Sequence, residues 1–179
     1  MRATGARPLA RITRRAALAL AGGALVAGCA AQSPAAPPVV SRARADHIVV
    51  GKSSRSMYLM RDGTAFRKYR VALGFAPEGH KLRGSDGRTP EGRYWIDRRN
   101  PRSAFFLSLG ISYPNMMDIA RARMMGVDPG GDIFIHGEPN NGRFTRGTDW
   151  TAGCIAVSNE EMEEIWATVP TGIQITILA

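Results

Sequence analysis

The chain has 179 residues, 44% hydrophobic and 22% charged, a globular composition that suits one domain rather than two large ones. Its 24 basic and 15 acidic residues give +9, but five arginines (Arg2, Arg7, Arg11, Arg14, Arg15) lie in an acid-free stretch of 28 residues at the start, so the charge is partly a targeting signal and no nucleic-acid partner is read from it. There is no Gly-X-Y period, no sustained heptad and one apolar run, which excludes collagen-like, coiled-coil and polytopic membrane classes.

That run is Ala16–Ala27, preceded by arginines and followed by Gly28-Cys29. A basic segment, about a dozen apolar residues and a small-residue boundary describe an export signal, too short for the ~20 residues that span a bilayer. Thr13-Arg14-Arg15 before Leu18 resembles the twin-arginine signal, and Leu25-Val26-Ala27-Gly28-Cys29 resembles the bacterial lipobox, whose cysteine carries lipid. Residues 1–28 are therefore read as a signal peptide and Cys29 as a lipidation site holding the chain to a membrane. The alternative is a cysteine that merely follows a cleaved leader. Residues 29–45, rich in Ala, Pro and Ser, read as a flexible tether, leaving 46–179 as the folded domain.

Within that domain, His47–Val50 and Ser56–Met60 read as strands, and Arg61-Asp62-Gly63 turns the chain into a third, Ala65–Leu73. Gly74–Glu91 is loop-like, ending in Arg88-Thr89-Pro90-Glu91-Gly92. Strands follow over Arg93–Asp97 and Phe105–Leu109, then a short helix over Met116–Met125 whose methionines are read as packing residues. Asp132–His136 and Cys154–Val157 are compact strands. Ser158 with Glu161 three residues on is a capping box opening a helix to about Val169, and Ile173–Leu178 closes the domain as a strand. The sum is a mainly β, compact α+β domain with two short helices.

Cysteine count points to chemistry. With Cys29 acylated, Cys154 is a lone thiol in an exported chain, an oxidation liability that calls for a reason; the alternative is a buried, inert cysteine. A thiol at its reference pKa of about 8.5 is mostly protonated at neutral pH, and only the thiolate attacks well. His136 precedes Cys154 by 18 residues, and two adjacent strands joined by the glycine-rich loop Glu138–Thr148 could bring them to one end of a sheet. The imidazole would then take the thiol's proton and return it to a leaving amine. Gly153 permits close backbone approach, so amides around residues 152–154 could hold an oxyanion.

Three ordered blocks carry a resemblance: Arg88-Thr89-Pro90-Glu91-Gly92 with Tyr94, Ile135-His136-Gly137, and Asp149-Trp150-Thr151 leading into Gly153-Cys154-Ile155-Ala156-Val157. From about His47 to Leu178 the sequence resembles the L,D-transpeptidase catalytic (YkuD) domain family. The resemblance implies a compact β-sandwich with two short helices and a cysteine-dependent acyl transfer on peptidoglycan stem peptides. Cys154 would be the nucleophile, His136 the base and acid, and Gly153 and Ala152 the oxyanion backbone. The thiol would attack the carbonyl between the diamino acid and the terminal D-alanine, with an amine resolving the thioester. Water as the acceptor would make it a carboxypeptidase or hydrolase, and lost turnover a peptidoglycan-binding lipoprotein. No cofactor is implied, and a monomer is expected. Family members often have Ser/Thr-His-Gly-Cys; here Ala152 stands where that histidine would be, and Gly137 where some have serine.

Other residues near these blocks keep two readings each. His80 lines the cleft or is a solvated loop residue; Trp150 meets the glycan or stem, or packs beside the site. Arg143 and Arg146 hold substrate carboxylates or sit on the surface, and Gly137 and Thr151 border the same cleft. Three histidines and one free cysteine show no metal-ligand spacing, so no metal is expected.

Overall fold

The computed structural model describes residues 44–142 and 149–179. The leader, Cys29 and most of the tether therefore lie outside the described residues, as do Arg143 and Arg146.

Ten elements succeed one another: β1 (His47–Gly51), β2 (Ser56–Arg61), β3 (Thr64–Arg70), β4 (Gly92–Ser103), β5 (Phe106–Ile111), α1 (Met116–Met124), β6 (Phe134–His136), β7 (Ile155–Ala156), α2 (Asn159–Thr168) and β8 (Gln174–Leu178). The strands form a mixed sheet in the order β3-β2-β1-β8-β4-β5-β6-β7. Most neighbours are antiparallel; β1–β8 and β6–β7 are parallel.

β4 joins the two halves of this sheet. Its first residues, Gly92 to Trp95, pair with β8, whereas Ile96 to Ser103 pair with β5 through two irregular registers. Irregular registers bend a strand and re-aim the side chains beyond the bend. β4 is longer than the expected Arg93–Asp97, because the run from Asp97 to Ser103 lacks apolar alternation and contains Pro101, yet still forms a ladder with β5. Alternate residues of the strands fill one core: Ile48 and Val50, Met57 and Leu59, Tyr94 and Ile96, Leu109 and Ile111, Ile135, Ile155, Ile175 and Ile177. Each such aliphatic side chain is worth roughly 1.5–3 kcal/mol when fully withdrawn from water.

Both helices begin with reciprocal caps. Ser158 Oγ accepts from the Glu161 amide at 3.2 Å while Glu161 Oε2 accepts from the Ser158 amide at 3.0 Å. Asn115 and Asp118 do the same for α1. α2 lies against β5 and buries Met162 and Ile165, and its acidic side chains Glu160 and Glu163 lie along the exposed and half-buried face. α1 differs from expectation. Its buried residues are Asp118 and Ala122, whereas Met116, Met117 and Met124 are 77%, 70% and 84% exposed. The methionines do not pack because the helix is held to the domain by polar contacts of Asp118, not by an apolar stripe.

Candidate active site

β6 and β7 bring the two halves of the sequence motif together. Ile135 lies beside Ile155 and His136 beside Ala156 in a parallel register. Both isoleucines are fully buried in the core, and with period-two alternation the next residue on each strand faces the other way. Cys154 directly precedes β7, whose ladder with β6 opens at the Ile135–Ile155 pair.

Four tethers hold the segment before the thiol. Asp149 receives Arg55 Nη2 at 2.6 Å and the Leu73 amide at 2.9 Å. The Thr151 backbone bonds Leu73 and Phe75 on either side of Gly74. Its hydroxyl accepts from the Gly153 amide at 3.1 Å and donates to the Cys154 carbonyl at 2.7 Å, closing a tight turn. Gly153 has φ +131°, and a Cβ there would lie 2.7 Å from the Arg88 carbonyl oxygen. Only glycine suits that position.

The thiol is half-buried. Sγ donates to the Asp132 carbonyl at 3.5 Å. Burial raises the Cys154 pKa above the ordinary thiol value; the Phe134 amide and the Lys81 ammonium oppose that shift and Asp132 adds to it. Buried His136 goes the other way: desolvation pulls it below 6.5 against a weaker opposing hydrogen bond to Gly137. Each shift favours the uncharged form of its own group.

Orientation of the imidazole comes from backbone. Nδ1 lies 2.7 Å from the Gly137 carbonyl, which can only accept, so the proton sits on Nδ1 and Nε2 carries the lone pair. Phe105 and Trp150 flank the ring, at centroid distances of 4.5 and 5.6 Å. Gly137 itself is confined: a Cβ would lie 2.5 Å from Asn159 Oδ1, which accepts the Glu138 amide at 2.8 Å.

The structure sets His136 against the Gly137 carbonyl and the Trp150 ring and joins Thr151 to Gly153 and Cys154, with Ala152 exposed. Thr151 is committed to shaping the turn, and the Gly153 amide is engaged by that hydroxyl. His80 has other partners. Its Nδ1 accepts the Glu91 amide at 3.0 Å and its Nε2 lies 3.0 Å from Asp118 Oδ1, out of line for a hydrogen bond, in a cavity lined by Asn115, Met117 and Arg121. Phe105, Lys81, Asp132 and the Arg55–Asp149 pair were not singled out from the sequence. The Asp149-Trp150-Thr151 block was the available signal for the last of these. Among the described residues no group of three or more His, Cys, Asp or Glu side chains converges as a metal site.

β6 carries the oriented imidazole, and its parallel neighbour β7 follows directly on the thiol residue within a mixed sheet. The model of the L,D-transpeptidase catalytic domain (YkuD) matches residues 45–177, and the chain belongs to that family. Among solved structures it is similar to the helical cell shape determining protein Pgp2 of Campylobacter jejuni, at 25% identity and TM-score 0.59, over 73% of this chain and 46% of that one. Bd1075 of Bdellovibrio bacteriovorus aligns at 24% identity and TM-score 0.54, over 75% and 48%. An L,D-transpeptidase of Xylanimonas cellulosilytica shares the fold at 15% identity and TM-score 0.51, over 75% and 61%. The chain spans about half the length of the first two. No curated protein sequence matches it.

Proposed function

We propose that this chain is a cysteine-dependent L,D-transpeptidase of the bacterial cell envelope, acting on peptidoglycan stem peptides. The observation that carries the reading is the His136 tautomer: Nδ1–H is spent on the Gly137 carbonyl and Nε2 is left as base, on the strand that pairs with the one following Cys154. Nε2 takes the Sγ proton as sulfur bonds the carbonyl carbon between the stem's diamino acid and its terminal D-alanine. The C–N bond breaks, the imidazolium returns that proton to the departing amine, and a thioester remains. An acceptor amine, deprotonated by Nε2, then forms the new amide; the C–S bond breaks and the thiol is restored.

Starting from neutral partners suits this sequence. A buried imidazole with a lowered pKa remains a base at neutral pH, and the Phe134 amide and Lys81 meet the negative charge that develops on sulfur. With the Gly153 amide committed to Thr151, the oxyanion role rests with the neighbouring amides of Ala152 and Cys154. The leader places the domain outside the cytoplasm, with Cys29 as its lipid anchor and residues 29–45 as its stand-off. The likeness to a cell shape determining protein supports a role in wall architecture.

One observation favours a second reading, hydrolysis. Ala152 is exposed and puts only a methyl group where many family members carry an imidazole, which leaves the thioester open to water. The test is D-alanine release from a stem tetrapeptide with and without an acceptor amine. Transpeptidation predicts a cross-linked product whose yield follows the acceptor, and hydrolysis predicts tripeptide whatever the acceptor. No D-alanine from folded protein in either arm contradicts both.

A further inference from the structure

Loops 75–91 and 125–130 enclose a cavity of about 440 Å³, walled by Ala76, Leu82, Arg83, Asp86, Arg88 and Met125. Its charges do not balance. Asp86 is spoken for: one oxygen accepts from Lys81 Nζ at 2.9 Å and from the Arg88 amide, the other from the Leu82 and Arg83 amides. The two arginines are not. Arg88 makes one long side-chain bond, 3.4 Å to the His80 carbonyl, and no carboxylate lies within ion-pair distance of either guanidinium among the described residues. Residues 1–43 and 143–148 contain no Asp or Glu, and Glu78 and Asp128, on the same loops, form no ion pair with either arginine and do not line the cavity.

The cavity adjoins the thiol segment through backbone. The Arg88 carbonyl is what a Cβ on Gly153 would strike, and a Cβ on Gly74 would meet the Gly87 carbonyl at 2.0 Å and Gly153 Cα at 3.0 Å. The loop that carries Arg88 is therefore pressed against the residue preceding Cys154. The second cavity, lined by His80 and Asp118, also measures about 440 Å³, but its Arg121 lies 3.7 Å from the Asp118 carboxylate. An arginine fork unmatched by any acid is built to take a carboxylate from outside.

Resting on the acyl-transfer reading above, we propose that this cavity is a carboxylate-anchoring subsite for the donor peptide. Arg88 and Arg83 hold carboxylate groups of an acidic stem peptide, and Leu82, Ala76 and Met125 receive its aliphatic chain. The subsite selects donors with free carboxylates over their amidated forms.

The test is calorimetric titration of the unreactive Cys154→Ala chain with a stem tetrapeptide and with the same peptide carboxyl-amidated. The free acid should bind about tenfold or more tightly than the amide, the scale of a charge-assisted hydrogen bond. Arg88→Gln or Arg83→Gln, placed on that chain, should erase most of the preference, and Arg88→Lys should restore part of it. In the cysteine-bearing chain the Gln variants should leave alkylation of Cys154 by neutral iodoacetamide and the melting temperature unchanged. Equal affinity for acid and amide, binding of neither, or Gln variants that keep the preference overturns the subsite. The two readings fail separately: an arginine-dependent preference without thioester in the cysteine-bearing chain spares the subsite and removes the chemistry. Thioester formation with indifferent arginines does the reverse.

Discussion

The imidazoles of His80 and His136 occupy opposite kinds of surroundings. His80 accepts at Nδ1 from the Glu91 amide and sets Nε2 against Asp118, which is also held by the Tyr94 hydroxyl and the Asn115 amide. Nδ1 is hydrogen-bonded and Nε2 is buried 3.0 Å from the Asp118 carboxylate, so the ring ties the loop before β4 to α1. His136 has its proton on the other nitrogen, and among the described residues nothing bonds Nε2. A histidine that braces a structure and one that can take a proton thus differ by tautomer, and the tautomer is chosen by whether Nδ1 meets a carbonyl or an amide.

Replacing each ring sharpens the contrast most. His136→Ala should lower D-alanine release by about 10²–10⁴-fold, the range for a lost acid–base group, beyond the stability cost of deleting a buried ring. His80→Ala should instead leave turnover within roughly threefold and cost about 1–3 kcal/mol in urea unfolding, because buried Asp118 loses a partner. Equal effects of the two on turnover would remove the distinction.

Next in size is Gly153→Ala. A Cβ at φ +131° would lie 2.7 Å from the Arg88 carbonyl, so the thiol turn must shift. The expected cost is about 2–4 kcal/mol, read by denaturant unfolding, with most turnover lost. Thr151→Val keeps the shape and removes the hydroxyl that serves the Gly153 amide and the Cys154 carbonyl. It should cost about 1–3 kcal/mol and lower kcat more than it raises KM.

The smallest effect is acid-linked stability. Burial alone would raise the Asp86 carboxyl, but Lys81 and three backbone amides outweigh it and hold the pKa at about 2, against an ordinary 3.8. A carboxyl depressed on folding stabilises fully above its unfolded pKa and loses that contribution as pH falls through the folded value. Stability should therefore drop by about 2 kcal/mol between pH 4 and pH 2 on account of Asp86. A pH series on Asp86→Asn should lack that step.

Much of this was legible in the residues, for physical reasons. The Ser158–Glu161 cap is a local pattern and appears as expected. The short strands around His136 and Cys154 carry β-branched residues that must be buried, and they pair with Ile135 beside Ile155 and His136 beside Ala156. The second half of β4 was not legible, because its ladder is sustained by backbone beneath a charged surface that shows no alternation. The α1 methionines misled because apolar identity does not specify burial when a polar residue, Asp118, anchors the helix. The Arg88 cavity is assembled from loops distant in sequence, and its unpaired charge emerges only after every carboxylate has been placed.

Intact-mass measurement of the soluble domain, quenched during reaction with a stem tetrapeptide, tests the central chemistry most directly. The mass should rise by the tripeptide acyl group, on the proteolytic fragment containing Cys154, and the adduct should be absent from Cys154→Ala. Release of D-alanine with no adduct, or an adduct that survives in Cys154→Ala, would contradict the assignment of the thiol as nucleophile.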